Sequence, residues 1–362
     1  MRARLLALLA KLAILAAAYV VAGKLGLKLA FVHASATAVW PPTGIALAAF
    51  LVRGYHVWPS ILLGAFLVNV TTAGSVATSM GIAAGNTLEG VVGAYLVNRF
   101  ANGPRALGRP RDIFKFALLA GIVSTTVSAT IGVTSLTLGG FANWATYGSI
   151  WWTWWLGDAA GALIVAPLLL VWSANRRWRW PRDQGWEALL LVLSLLLVGQ
   201  VVFGGWLPIG ANNSPLEFLC IPFLVWVAFR FGQREAATAS AALSGLALWG
   251  TLHGFGPFAR GTPNESLLLL QAFMGTISVT TVAVAAVVAE RRAAEKQQEG
   301  LIDSLKTLRG LLRICSYCNK IRNDQGAWVR LEAYIQEHSE AKFTHGLCPE
   351  CARQHYPQLY PR

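Results

Sequence analysis

The chain has 362 residues, of which 55% are hydrophobic and only 13% are charged. A water-soluble domain of this composition would have more apolar surface than it could cover, so the composition excludes an ordinary soluble enzyme and indicates an integral membrane protein. The formal net charge of +13 is spread between apolar segments and not gathered on one face. It therefore indicates membrane topology, and no nucleic-acid partner is expected.

Ten apolar segments come close to the length of roughly 20 residues that a helix needs to cross a bilayer. They are 5–23, 36–52, 57–73, 79–98, 113–136, 151–173, 187–206, 216–231, 235–252 and 267–289. Because the second, third and eighth are short or broken, the sequence predicts an all-α polytopic membrane protein with eight to ten transmembrane helices. The first segment lacks a small-residue cleavage site and is interpreted as a retained anchor.

Basic residues are distributed unevenly between alternate loops. With the N-terminus in the cytoplasm, 17 Lys and Arg residues fall on the inner side, and only Lys24, Lys28 and Arg260 fall on the outer side. Since positively charged loops stay in the cytoplasm, the sequence predicts a multi-pass membrane protein with both termini cytoplasmic. The outer loops are too short for a binding domain, so any stimulus must be perceived within the helices or at their outer mouth.

Two acidic residues lie inside predicted spans: Glu89 in Gly85-Asn-Thr-Leu-Glu-Gly90 and Asp158 in Trp154-Trp-Leu-Gly-Asp158. Charged side chains are costly in lipid and usually mark functional positions. The rise of a helix places Glu89 near the middle of the membrane and Asp158 slightly further out. We expect that they form a ligand or proton site together with Asn86 and Asn69. The alternative is that these polar groups only hydrogen-bond neighbouring helices.

Six spaced motifs resemble a known family. In chain order they are Val39-Trp-Pro-Pro-Thr-Gly44, Gly85-Asn-Thr-Leu-Glu-Gly90, Trp154-Trp-Leu-Gly-Asp158 continuing to Ala166-Pro-Leu-Leu-Leu170, Trp226-Val-Ala-Phe-Arg-Phe-Gly232, Gly256-Pro-Phe258 and Val287-Val-Ala-Glu-Arg-Arg292. This pattern, over residues from about 10 to 292, resembles the bacterial membrane-associated sensor domain of the first type (MASE). The resemblance implies a sensory input domain of the bacterial inner membrane that is normally joined to a histidine kinase, a diguanylate cyclase or PAS domains.

The residues after this region leave no room for such an output enzyme, so no enzymatic activity is expected. Leucines recur there at spacings of four, three and four, which is typical of a coiled-coil seam; they are Leu301, Leu305, Leu308 and Leu312. Gly300 and Gly310 weaken this seam. Residues 291–312 are therefore predicted to be either a dimeric signalling helix, which would make the protein a homodimer, or a simple amphipathic linker.

The tail carries two cysteine pairs, Cys315-Ser-Tyr-Cys318 and Cys348-Pro-Glu-Cys351, separated by 29 residues. Four thiolates complete the tetrahedral coordination of Zn²⁺, and disulfides rarely persist in the cytoplasm. A module of this size buries too little core to fold without help. The sequence thus predicts a zinc-ribbon-like module over 313–362 with one structural Zn²⁺, and His345 next to the ligands but outside them. Redox thiols or another metal are the alternatives.

The tail also resembles a C-terminal motif appended to many bacterial receiver and PAS proteins. The matching residues are Cys315, Cys318, Lys320, Ile321, Arg322, Gly326, Trp328, His345, Gly346, Cys348, Pro349 and Cys351. A site closed by four cysteines has no open position for chemistry, so the resemblance implies a signalling context and not a reaction. The sequence predicts a membrane sensor over 1–290 that relays an unknown stimulus to a cytoplasmic signalling protein. The alternative is a transporter of a small solute or ion.

Overall fold

The computed structural model describes residues 2–28, 30–33, 36–72, 74–174, 182–206, 216–305, 312–323, 325–338, 341–356 and 358–359. The protein is mainly helical, in agreement with the predicted all-α class. It divides into two compact units, residues 1–290 and residues 291–362.

Twelve helices are described up to residue 305. The first four, with a pair of short antiparallel strands, are α1 (Arg2–Leu27), β1 (Ala30–His33), β2 (Ala36–Thr37), α2 (Pro41–Arg53), α3 (Trp58–Val70) and α4 (Val76–Phe100). The next four include two π-helical stretches and are α5 (Pro110–Phe116), the π turn Ala117–Val123, α6 (Thr125–Leu138), α7 (Tyr147–Ala160), the π turn Gly161–Val165 and α8 (Ala166–Ala174). The last four are α9 (Arg182–Phe203), α10 (Ile221–Arg230), α11 (Gln233–Leu252) and α12 (Pro263–Leu305).

Each predicted apolar segment overlaps one of these helices or a helix pair joined by a π turn. Within the described residues, five helical segments are both long and apolar enough to cross a membrane, namely 6–27, 110–138, 144–174, 184–203 and 264–301. The helices α2 and α3 are apolar but shorter, and α4 and α11 contain many Gly, Ala, Ser and Thr residues. The integral membrane class is supported, whereas the count of eight to ten spans stays a prediction.

Alternate loops of the first unit meet at the same end of the helices. Gln233, which begins α11, donates to the carbonyl of Leu107 in the loop after α4 (2.6 Å). A cavity of about 620 Å³ lies between these loops. At the other end of α4, Lys24 donates to the carbonyls of Val68 (3.2 Å) and Thr71 (3.0 Å). These contacts fit the grouping that the charge pattern predicts for the loops involved, and the topology as a whole, including which end faces the cytoplasm, stays a prediction.

The short helix α2 has well-defined ends. Pro41 and Pro42 occupy its first positions, where a missing N–H costs nothing and the fixed φ favours a helix. Gly54 ends it with a φ of 91°, and its N–H donates to the carbonyl of Phe50 (2.9 Å). Buried side chains on α2, including Leu47 and Phe50, belong to the largest apolar core of the first unit. α2 is thus held inside the bundle.

The second unit contains small elements after the end of α12. They are β3 (Ile321–Arg322), β4 (Trp328–Val329), α13 (Leu331–His338) and α14 (Pro349–His355), with β3 and β4 paired antiparallel. Of the predicted leucine seam, Leu301 and Leu305 lie on α12, while Leu308 lies outside the described residues. The predicted division at 291–312 and 313–362 stays a prediction.

Candidate functional site

Two carboxyl groups of the membrane unit meet at one hydroxyl group. The Thr43 hydroxyl, in the first turn of α2, lies 3.0 Å from Asp158 Oδ1 and 3.4 Å from Glu89 Oε2. Glu89 lies near the middle of α4, and Asp158 lies near the end of α7. Glu89 is 2% exposed and Asp158 is fully buried. Three helices thus bring together two carboxyl groups, which we call the acid pair.

A chain of hydrogen bonds runs beside the acid pair. Asn86 donates to the Tyr19 hydroxyl (3.1 Å) and accepts from Ser128 (2.7 Å). Ser128 in turn accepts from the indole N–H of Trp154 (3.1 Å). Asn86 and Trp154 precede the members of the acid pair by three and four residues, which places them on the same helix faces. Side chains from α1, α4, α6 and α7 therefore form one buried polar network.

Each member of the acid pair keeps one oxygen atom without a hydrogen-bond partner among the described residues. These two atoms, Glu89 Oε1 and Asp158 Oδ2, are buried. A cavity of about 10 Å³ adjoins Asp158, which is space for roughly one water molecule. Asn69 and Asn86 line this cavity, but the Asn69 amide donates to the carbonyl of Ala65 in its own helix (2.8 Å). The site is polar, enclosed and only as large as a water molecule.

Glycines allow α2 to lie directly against the helix that carries Asp158. The Trp40 N–H donates to the Gly157 carbonyl (2.9 Å). A Cβ atom at Gly161 would collide with the Trp40 carbonyl, and one at Gly44 would collide with the Gly161 carbonyl. Backbone contact of this closeness requires glycine. It sets the distance between Thr43 and Asp158.

The helix α12 bonds to the same region at three positions that are seven residues apart. Asn264 accepts from Thr153 of α7 (2.9 Å), Gln271 donates to the carbonyl of Ala38 (2.8 Å), and Ser278 donates to the carbonyl of Leu163 (2.6 Å). Seven residues are close to two helical turns, so these side chains share one face of α12. This face, defined by Asn264, Gln271 and Ser278, is called the polar face of α12 below.

The structure brings together three of the four membrane residues that the sequence predicts for the site. Glu89 and Asp158 meet at Thr43, and Asn86 bonds within the adjoining network, whereas Asn69 reaches only the cavity wall. Sequence reasoning missed Thr43, although it lies in the Val39–Gly44 motif, and it missed Ser128. Isolated hydroxyl residues are common in membrane helices, so neither position stood out without the partner helices. The functional roles of all these residues stay predictions.

Comparison with known proteins identifies the region that contains this network. The family model MASE1 matches residues 11–292. The chain belongs to the MASE1 family. This confirms the resemblance stated from the six motifs, and it shows an integral membrane protein with a sensory domain that comprises α1 to most of α12. Every residue of the polar network lies within the MASE1 region.

One curated relative is similar over part of the chain. The probable diguanylate cyclase DgcE of Escherichia coli (strain K12) is 28% identical over 204 residues, which are 55% of this chain and 17% of that protein. The similarity therefore covers a small part of the relative's length. No solved structure matches the chain.

Beyond the MASE1 region, each cysteine pair forms a tight turn. The Cys315 N–H donates to the Lys320 carbonyl (2.8 Å), and Asn319 within this turn has a positive φ of 53°. Cys348 precedes α14, and its sulfur accepts from the Cys351 N–H at 3.4 Å. Turns of this kind direct backbone N–H groups at sulfur, which favours the thiolate form.

The hydrogen bonds in these turns shift the pKa values of the thiols. The backbone N–H of Cys318 lowers the pKa of the Cys315 thiol, and the backbone N–H of Cys351 lowers the pKa of the Cys348 thiol. The hydrogen bond that the Cys351 thiol itself shares with the Cys348 sulfur raises the pKa of Cys351. The donor chemistry of each pair suits a metal that binds thiolates.

The four cysteines do not form one cluster in the described part of the chain. Among those residues, no three His, Cys, Asp or Glu side chains lie together as a metal-binding group. His345 is exposed. The zinc site of Cys315, Cys318, Cys348 and Cys351, with His345 beside it, therefore stays a prediction that only the two pairwise geometries support.

Proposed function

We propose that this protein is a sensor of the bacterial inner membrane that detects a stimulus at the acid pair and relays it along α12. The MASE1 match supports a sensory role, and the acid pair places two buried carboxyl groups side by side within the matched region. Both termini would be cytoplasmic, and the tail, held by zinc, would recruit a separate signalling protein. We propose no catalytic activity for the chain itself.

The polar face of α12 is the observation that carries this proposal. Two of its three bonds reach the segment around Asp158, through Thr153 on one side and the Leu163 carbonyl on the other. The third reaches Ala38, just before α2. A change in the separation of α2 and α7 must therefore alter bonds that α12 makes. Because α12 continues to Leu305, it is the helix best placed to report that change.

A chimera tests the relay without knowledge of the stimulus or partner. Residues 1–305 are fused to the catalytic portion of the related diguanylate cyclase, and cyclic diguanylate is measured in cells. Allosteric coupling is typically 1–3 kcal/mol, so we expect Asp158→Asn and Glu89→Gln to change output by roughly 5-fold or more at equal expression.

Ser79→Ala is the matched control, because Ser79 is an equally buried polar residue of α4 whose hydroxyl has no hydrogen-bond partner within the described part of the chain. It should leave the output unchanged. Equal outputs from wild type and both acid-pair variants would contradict the relay and leave a packing role. Solute flux in proteoliposomes that Asp158→Asn abolishes would instead identify a transporter.

A further inference from the structure

The contacts of Thr43 impose a condition on the acid pair. A hydroxyl group has one hydrogen atom, so it can donate to only one carboxylate oxygen at a time. Both Asp158 Oδ1 and Glu89 Oε2 lie within hydrogen-bonding distance of it. If both carboxyl groups were ionised, one of these contacts would join a carboxylate oxygen to a hydroxyl oxygen whose hydrogen already points elsewhere. That contact would have no hydrogen atom and would not be a hydrogen bond. Both contacts are hydrogen bonds only if one carboxyl group carries a hydrogen of its own.

No cation that the structure describes compensates for two negative charges at this position. The groups that face the acid pair are the hydroxyl of Tyr19 from α1, the hydroxyls of Thr43 and Ser128 from α2 and α6, and the indole of Trp154 from α7. None of these carries a positive charge. Neither member of the pair takes part in a salt bridge between the described residues.

The basic side chains that the structure describes on the neighbouring helices lie elsewhere. Lys24 of α1 is bonded to the carbonyls of Val68 and Thr71, and Lys11 of α1 is exposed. Arg53 and Arg99, at the ends of α2 and α4, are also exposed. The helices α6 and α7 contain no Lys, Arg or His. An unpaired buried charge is strongly unfavourable, and two adjacent ones are more so.

We propose that Glu89 and Asp158 together bind one proton across the Thr43 hydroxyl, and that the proton is the ligand of this sensory site. In the arrangement that fits the distances, protonated Glu89 donates to Thr43, and Thr43 donates to ionised Asp158 through the shorter contact. The pair then has a charge of −1. Uptake of a second proton by Asp158 makes the pair neutral, and the Thr43 hydroxyl then no longer donates to a negatively charged oxygen. The bond that holds Thr43 and α2 against Asp158 of α7 becomes weaker, because charge-assisted hydrogen bonds are the stronger ones.

The cavity beside Asp158 offers a position for a water molecule next to the acid pair. It has room for about one water molecule, and its wall includes Leu27 and Thr37 as well as Asp158. Leu27 ends α1, and Thr37 lies in β2, so the cavity lies on the side of Asp158 that the charge pattern assigns to the outside. A water in the cavity would be the immediate donor of the second proton to Asp158.

Infrared spectroscopy of the full-length protein in liposomes tests the shared proton. A protonated carboxyl group has a C=O stretch that a carboxylate lacks. We expect this band at neutral pH in the wild type and its loss in Glu89→Gln and in Asp158→Asn. Glu290→Gln, which alters an exposed carboxyl group of α12, should leave the band unchanged.

A second pair of variants removes only the bridge. Thr43→Val should shift the band, because the protonated carboxyl group loses its hydrogen-bond partner, and Thr43→Ser should restore the wild-type frequency. A wild-type spectrum equal to that of Glu89→Gln would overturn the proposal. So would a carboxylate band that shifts on exchange of sodium for choline, because it would identify a bound cation.

The shared proton is a signal only if the proposed sensory function is correct, so this inference rests on that function. The infrared and chimera experiments nevertheless test the proton and the relay independently. A band that behaves as expected, together with an unchanged output of the chimera, would leave a proton site without a relay. A changed output without the band would leave a relay whose ligand is not a proton.

Discussion

Thr43 is the residue on which the geometry of the site depends. Its hydroxyl is the described link of α2 to the acid pair, and the side chain is 6% exposed. The same helix turn contains Gly44, whose missing Cβ lets α2 approach the Gly161 carbonyl. Close packing of α2 places the hydroxyl between Asp158 Oδ1 and Glu89 Oε2. The hydroxyl is then a hydrogen-bond partner for both of these buried atoms.

Loss of that hydroxyl should therefore destabilise the protein. Thr43→Val keeps the shape of the side chain but leaves both contacted carboxyl oxygens without this partner, and a buried unsatisfied group costs about 1–3 kcal/mol. We expect a decrease of this order in the free energy of unfolding, measured by denaturant titration of the purified protein in detergent. Thr43→Ser retains the hydroxyl and should lose much less. Equal losses in the two variants would show that the methyl group matters and the bridge does not.

The chemistry of individual residues limits what the sequence can predict about the site. Glu89 and Asp158 are predictable because a carboxyl group inside an apolar segment is rare and expensive. Thr43 and Ser128 are not, because a hydroxyl can bond to its own helix, as Thr87 does to the Ala83 carbonyl (2.7 Å). Only the three-dimensional neighbours distinguish a hydroxyl that bridges helices from one that does not.

At the scale of elements, the π turn between α7 and α8 explains why α12 bonds where it does. Pro167 has no N–H to donate to the carbonyl of Leu163, four residues earlier. Such an interruption is a common origin of π turns, and π turns are frequent at functional sites. Ser278 of α12 donates to this carbonyl instead (2.6 Å). The missing backbone hydrogen bond at Pro167 thus leaves the Leu163 carbonyl free to accept a hydrogen bond from α12.

A double-mutant cycle tests this explanation. Ser278→Ala should destabilise the protein by about 1–3 kcal/mol, because the Leu163 carbonyl loses a buried donor. In a Pro167→Ala background the restored N–H can serve that carbonyl, so the same Ser278→Ala change should cost less. The unfolding free energies of the wild type, the two single variants and the double variant give the coupling energy between Pro167 and Ser278. Additive effects would show that Pro167 and Ser278 act independently.

Helix positions were predictable from apolar runs, and their interruptions were not. The pattern placed one span over 113–136 and another over 151–173, and both exist as longer helical segments that contain a π turn. An apolar segment has the same composition whether its backbone is α-helical or contains a π turn. The composition therefore does not show where a π turn lies. The polar face of α12 was also hidden, because Asn264, Gln271 and Ser278 are separated by long apolar stretches that suffice for a membrane span.

At the scale of the whole molecule, the arrangement of loops permits a direct test of topology. Cys318 is exposed in the tail, and Ala145 is exposed in the loop segment before α7. The charge asymmetry predicts opposite sides for them. In intact cells, a membrane-impermeant maleimide should label a variant whose only cysteine is Ala145→Cys and should not label one that retains only Cys318. Labelling of Cys318 before lysis would reverse the topology and weaken the case for zinc.

The second unit has too small a core to be stable by packing alone. Its described buried side chains are Ile321, Tyr334 and Ala352, while Trp328 is 50% exposed and Leu347 is 60% exposed. Ordering about 50 residues costs on the order of 1–2 kcal/mol per residue in backbone entropy. This is far more than the hydrophobic free energy that three buried side chains contribute. The cysteine turns offer the missing stabilisation if one metal ion joins them.

We therefore expect the isolated tail, residues 313–362, to be largely unfolded in chelator and to fold on binding one Zn²⁺. Elemental analysis gives the stoichiometry, and Trp328 fluorescence reports folding. Each of the four Cys→Ser variants should lose affinity sharply, because a thiolate ligand is gone. His345→Ala should lose at most about 10–100-fold, the usual effect of a group beside the ligands. A tail that is folded in chelator, or that binds no zinc when reduced, would leave the cysteines as redox thiols.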